Sequence, residues 1–217
     1  RWLAKSFTDQ EGVVSAADIG VHALGKHADG MFKWGAAIVN GEGYGNPDLD
    51  NDKTFQARAT VDPLNGDIKL PISVYFSQEF YTHEDVDGQN IIIASVGLDQ
   101  EFVSVWGEYA MDTPGTKFQD ESGSEEDVKA GGMSFNVVGK VPDLLNVVAR
   151  YDKWDPNTEI DDDGHSTIRV GVTKNLAKKV DVGLMYETTN YEAPSAHVEG
   201  ENKQSDKAVF FRLQAGF

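Results

Sequence analysis

Eleven segments of this chain alternate apolar and polar residues, and the connections between them alternate in length without exception. Alternation with a period of two is the signature of a strand with two unlike faces. The segments run from Ala17 to Gly25, Phe32 to Asn40, Phe55 to Asp62, Ile72 to Phe80, Gln89 to Leu98, Phe102 to Met111, Met133 to Val141, Leu145 to Trp154, Thr167 to Thr173, Val180 to Glu187 and Ala208 to Phe217. Short connections follow every odd-numbered segment: Ala28-Asp29-Gly30, a turn containing Pro63, Asn65 and Gly66, Asp99-Gln100-Glu101, Pro142-Asp143, and Asn175-Leu176-Ala177-Lys178. Long acidic or Gly-rich stretches follow every even-numbered one.

A soluble sandwich has no reason to keep such an alternation. A sheet threaded through a bilayer does, because its turns are short on one side of the membrane and its loops long on the other. The closing strand shows the same logic: Val209, Phe211, Leu213, Ala215 and Phe217 share one face, with Arg212 and Gln214 on the other. Elsewhere the apolar face takes Ile19, Val21, Trp34, Ile38, Val74, Ile92, Val96, Tyr109, Phe135, Val147, Tyr151, Ile168, Val170 and Leu184, with almost no charge. The opposite face is ionisable and of mixed sign. Asp18, His22, Lys33, Arg58, Glu79, Glu108, Lys140, Arg150, Asp152, Arg169, Asp181, Glu187 and Arg212 fall there and are the expected channel-lining residues. An Arg or Lys on the lipid face at mid-membrane costs roughly 2 to 4 kcal/mol, so the one-sided placement of the arginines marks the phase. The expected fold is all-β, a transmembrane antiparallel up-and-down β-barrel. The other reading of Arg58, Arg150, Arg169 and Arg212 is that they pair with Asp152, Asp181, Glu187 or Glu108 to stiffen the wall.

Bulk composition does not contradict this. Mean hydropathy is -0.42, and no run approaches the roughly 20 apolar residues of a spanning helix, but a barrel strand needs only about 10 residues of alternation. Cysteine is absent, in keeping with an exported chain without a disulfide framework. The formal charge is -17 at pH 7, which argues against nucleic acid, whose phosphates need a basic face. The acids gather between strands, as in Asp48, Asp50 and Asp52, in Glu84, Asp85 and Asp87, and in Asp120, Glu121, Glu125, Glu126 and Asp127. Solvated loops account for them.

Strand parity carries a further expectation. If Phe217 ends on the periplasmic side, counting back makes the first strand descend as well, and Arg1 to Ser15 then lies outside the cell. An open sheet edge in lipid leaves backbone groups unpaired at several kcal/mol each, so these strands are expected to be the C-terminal part of a larger single barrel domain. No export signal is visible at Arg1, which reads as a mature or internal start. Alternatively Arg1 to Phe7 forms a ragged twelfth strand.

Ser15-Ala16-Ala17-Asp18-Ile19-Gly20-Val21, followed by Phe32-Lys33-Trp34-Gly35-Ala36-Ala37-Ile38-Val39-Asn40-Gly41-Glu42-Gly43-Tyr44, resembles a hairpin of the phosphate-selective type of bacterial outer-membrane porin. Arg150-Tyr151-Asp152, Asp155-Pro156-Asn157 and Phe211-Arg212-Leu213-Gln214 are similar to that family too, as is the aromatic last residue. The resemblance implies a Gram-negative barrel of about sixteen strands, usually a homotrimer in outer-membrane lipid and lipopolysaccharide. Such a barrel passes small polar solutes and ions through a constriction made by an inward-folded loop. This chain departs from the family in charge. Phosphate selectivity there rests on a ladder of Arg and Lys, whereas here inward cations are about matched by carboxylates and the loops are acidic, a potential that repels anions at the mouth.

Other readings leave weaker traces. Among His22, His27, His83, His165 and His197 only His22 falls within a segment, and none stands with a serine and a carboxylate at a recognisable spacing, so no catalytic residues and no enzyme are expected. Asp161-Asp162-Asp163-Gly164 and Asp48-x-Asp50-x-Asp52 resemble calcium loops without the full twelve-residue spacing. They are hydrated loops or weak surface sites for Ca or Mg; no cofactor is expected. Phe210 and Trp106 fall inward, beneath a loop or along an apolar track. The expected function is a water-filled porin; the alternative is a barrel that sheathes or scaffolds a partner protein.

Overall fold

The computed structural model describes residues 6–15, 18–41, 52–64, 66–80, 88–119, 125–142, 144–177, 180–192 and 205–215. Described elements are a single helical turn α1 (Phe7–Gln10) and strands β1 (Gly20–His27), β2 (Phe32–Val39), β3 (Lys53–Val61), β4 (Ile72–Phe80), β5 (Asn90–Asp99), β6 (Val103–Thr113), β7 (Lys117–Gln119), β8 (Glu125–Asp127), β9 (Ala130–Val141), β10 (Leu145–Asp155), β11 (His165–Ala177), β12 (Val180–Tyr191) and β13 (Ser205–Ala215). Eleven of the strands form one sheet in sequence order, every pair antiparallel, while β7 and β8 pair as a separate ribbon between β6 and β9. The expected meander is therefore present, and each of the eleven expected segments overlaps one of its strands. Within the described residues β1 and β13 are the two edges of the sheet. No helix among those residues is long and apolar enough to cross a membrane, which says nothing of strands.

Several strands outrun the apolar alternation. β6 continues to Thr113, β9 begins at Ala130, β11 begins at His165, β12 continues to Tyr191 and β13 begins at Ser205. These extensions lie at the long-connection end, where the ladder of backbone hydrogen bonds goes on after the apolar pattern has stopped; at the short-connection end β11 likewise runs on through Asn175, Leu176 and Ala177, which the sequence reading placed in the connection. For the same reason His165 is in a strand, opposite Trp154 on β10 and Tyr191 on β12, and not in a loop as the sequence reading placed it. His27 likewise ends β1. At the other end of β1, Asp18 and Ile19 precede the strand.

Two faces separate cleanly. Among the described side chains of the apolar set named above none is buried, and Val170, Phe211 and Leu213 are 45%, 74% and 63% exposed. On the opposite face Ser73, Ser77, Ser104, Ala110, Val138, Val148, Asp152, Thr167, Arg169 and Met185 are buried.

Part of that burial comes from residues 6–15, which fold against the second face, hereafter the inner face. Phe7 is 2% exposed and meets Trp154 edge-on with ring centroids 5.6 Å apart. Phe7 and Val13 complete an apolar cluster with Ile91, Ile93, Ala110, Ala130 and Trp154, all near the long-connection ends of β5, β6, β9 and β10. Gly132 makes the approach possible, since a Cβ there would stand 2.8 Å from the Phe7 ring and 2.3 Å from the Lys153 carbonyl oxygen. The alternative of a ragged twelfth strand from Arg1 to Phe7 is thus corrected at its described end, Phe7. Phe7 opens a helical turn whose aromatic side chain is drawn onto the sheet, because burying a phenylalanine yields more than extending a short, poorly alternating segment. Residues 1–5 lie outside the described part.

Candidate functional site

The site is the strip of inner face over which residues 6–15 lie. Cross-strand register sets Arg150 on β10 directly opposite Arg169 on β11, and Arg169 opposite Glu187 on β12. Two guanidinium groups side by side repel, so the neighbouring row has to supply the counter-charge. Asp152 does so, 2% exposed: Arg150 Nε donates to its Oδ1 at 2.7 Å, and Arg169 Nη1 donates to its Oδ2. Arg169 Nε donates to the Glu187 carboxylate, which completes an Arg150, Asp152, Arg169, Glu187 ladder across three strands. Fork-shaped donors with carboxylates are the geometry in which buried ion pairs hold best.

The N-terminal segment is tied to this ladder by polar contacts as well as by Phe7. Arg150 Nη2 donates to Gln10 Oε1 at 3.2 Å, His165 Nε2 lies 3.3 Å from Glu11 Oε2, and the backbone of Thr8 hydrogen-bonds the carboxylate of Glu108. Beside the segment opens a cleft of about 500 Å³, lined by Asp9, Glu11, Arg169, Glu187, Met185 and Phe210 among others. Phe210 belongs to the cleft wall. Trp106, the other aromatic that the sequence placed inward, lies over Gly97, where a Cβ would meet the indole at 2.8 Å.

Of the residues singled out in the sequence, Glu108, Arg150, Asp152, Arg169 and Glu187 are brought together here. Arg58 shares the inner face, exposed, close enough to act on Glu108. The others lie apart. Lys140 pairs with Asp99 at 2.5 Å and donates to the Gln100 carbonyl at 3.0 Å, beside the short β5–β6 turn. Asp181 accepts from Asn175 at 3.1 Å beside the β11–β12 turn, and Arg212 sits opposite Gly183. His22 and Lys33 are exposed on β1 and β2. Glu79 accepts from the Gln89 amide at 3.4 Å. Asp18 acts locally, accepting from the Ile19 and Gly41 amides at 2.6 and 2.7 Å and so closing the end of the β1–β2 hairpin. Missed by the sequence reading were Phe7, Thr8, Gln10 and Glu11; the available signal was an apolar Phe7 and a Val13-Val14 pair bracketing polar residues in a stretch with no strand period.

Outside the sheet, Asp163 in the β10–β11 connection has its carboxyl pushed up to about 6 by burial and by the neighbouring carboxylates of Asp155 and Glu192. Asp48, Asp50 and Glu42 to Tyr44 fall outside the described residues, and among those described no trio of His, Asp or Glu is placed to hold a metal ion.

No protein-family model matches the chain, and no curated protein matches it either. Among solved structures it is similar to an anion-selective porin from Comamonas acidovorans, with a TM-score of 0.65 at 16% identity over 93% of this chain. The match spans 60% of that porin's length. At this identity the likeness is one of fold: the eleven-stranded meander has the architecture of a porin wall.

Proposed function

We propose that this chain forms most of the wall of a bacterial outer-membrane channel through which small ions and polar solutes diffuse passively, without catalysis. The observation that carries the reading is the division of the sheet into an exposed, nearly uncharged apolar face and an inner face bearing the arginine and carboxylate ladder. Hydrocarbon accepts only the first and water favours the second. In this reading further strands join the β1 and β13 edges to close the cylinder, residues 6–15 narrow the lumen, and the apolar belt meets lipid and lipopolysaccharide in a homotrimer. The N-G-E-G-Y hairpin supports kinship with phosphate-selective porins, although the inner charges do not favour phosphate as the solute.

Planar-bilayer recording of the purified protein tests the channel. Stepwise conductance increments that scale with salt concentration are expected. A folded protein that inserts and conducts nothing would favour the alternative barrel whose lumen sheathes a partner protein.

A further inference from the structure

We infer that the cleft beside residues 6–15 is a binding subsite for uncharged sugars, with Phe210 as its platform and Glu187 and Gln10 as the groups that hold the hydroxyls; this rests on the channel reading and names a class of solute for it. Ionic groups around the cleft are already engaged. The ladder sets Arg150 and Arg169 against Asp152 and Glu187, Glu11 lies against His165, and Asp9 has a partner as well. An inorganic ion of either sign would have to break one of these pairs to gain a counter-charge, leaving the other member desolvated and alone.

Hydrogen-bonding capacity, by contrast, is left over. Among the described residues Glu187 gives only Oε2 to Arg169, so its Oε1 stays an acceptor, and Gln10 gives only Oε1 to Arg150, so its Nε2 stays a donor. Apolar surface meets the same space. Phe210 on β13 stands directly opposite Met185 on β12 and diagonal to Glu187, near enough for side chains to meet across the ladder. It is 44% exposed, whereas Met185 beside it is buried. A sugar carries both complements: hydroxyls that donate and accept, and a C–H face that can lie on an aromatic ring. A purely apolar solute would leave Glu187 Oε1 and Gln10 Nε2 without partners. The volume fits too, since about 500 Å³ falls within the roughly 300 to 1,000 Å³ of small-molecule sites.

The test is the ion conductance of the protein reconstituted in a planar bilayer and titrated with glucose or sucrose, set against polyethylene glycol of similar mass, for the wild type and for Phe210→Ala. Expected is a saturable fall in wild-type conductance with at least one of the sugars, beyond the fall in bulk conductivity that polyethylene glycol reports, and a half-saturating concentration raised several-fold in Phe210→Ala. Phe210→Leu, which keeps apolar bulk without the ring, replaces that variant if it loses its heat-modifiable gel mobility. A conducting wild type that neither sugar blocks saturably, or a folded variant with unchanged half-saturation, overturns this inference and leaves the channel reading standing. A protein that never conducts overturns both.

Discussion

Asp152 shows how much of the inner face hangs on one side chain. Its two oxygens serve two guanidinium groups, and its own side chain is 3% exposed. Truncating one member of a buried ion pair typically costs about 3 to 5 kcal/mol, because the partner is left charged and desolvated. Asp152→Ala, which removes the carboxylate that both arginines share, is expected to lower the temperature at which the folded band converts on a gel, whereas Asp181→Ala, exposed at the start of β12, is expected to leave it unchanged. Asp163 gives a pH signature of opposite character. Its folded pKa of about 6 stands above the ordinary 3.8, so its contribution to stability is complete below the lower value and is lost as pH rises through the upper one. Unfolding of the β10–β11 connection, followed by limited proteolysis, is expected to become easier between those pH values, and Asp163→Asn to flatten the dependence.

The N-terminal turn α1 and the strands obey different rules. A strand in this sheet is specified by alternation that repeats along the chain; α1 is only four residues long, too short to be stable alone, and is held by what it packs on. Its docking depends on the aromatic contact of Phe7 with Trp154 and the open space above Gly132. Phe7→Ala is expected to loosen residues 6–15 from the wall and raise single-channel conductance while the barrel remains heat-resistant, since the sheet's own hydrogen bonds are untouched. On the opposite face the prediction concerns depth. Val170→Arg places a charge where Ile168, Val172 and Leu184 share the apolar belt, and it is expected to cost roughly 2 to 4 kcal/mol in equilibrium folding into phospholipid vesicles. Adding an arginine on the inner face at Ser134 is expected to cost far less.

For the molecule as a whole the apolar belt decides the solvent. The exposed side chains of Ile38, Val74, Val96, Phe135, Val147 and Leu184 are too many and too contiguous for a water-facing surface, so extraction from membranes is expected to require detergent, and cross-linking in that detergent is expected to give a trimer band. The antiparallel order of all eleven sheet strands was legible in the residues, because period-two patterning and the short-long rhythm of connections are local properties that survive without knowing any contact. Membership of Arg150, Asp152, Arg169 and Glu187 in the inner face was legible for the same reason. That Arg150 and Arg169 pair with inner-face carboxylates was one of the two readings the residues left open, and it holds for Asp152 and Glu187; which partners meet depends on the stagger between β10, β11 and β12, which backbone hydrogen bonding sets and side-chain pattern barely records. The reach of β9 and β11 into the long-connection end was hidden too, since polar ladders in water carry no alternation. Nor did the residues announce that 6–15 turn back onto the sheet, because Phe7 finds its pocket among side chains from β5, β6, β9 and β10, more than eighty positions further along the chain. Alternation by itself determined which face of each strand is apolar; only the folded sheet, by bringing those distant residues together, decided what covers the other face.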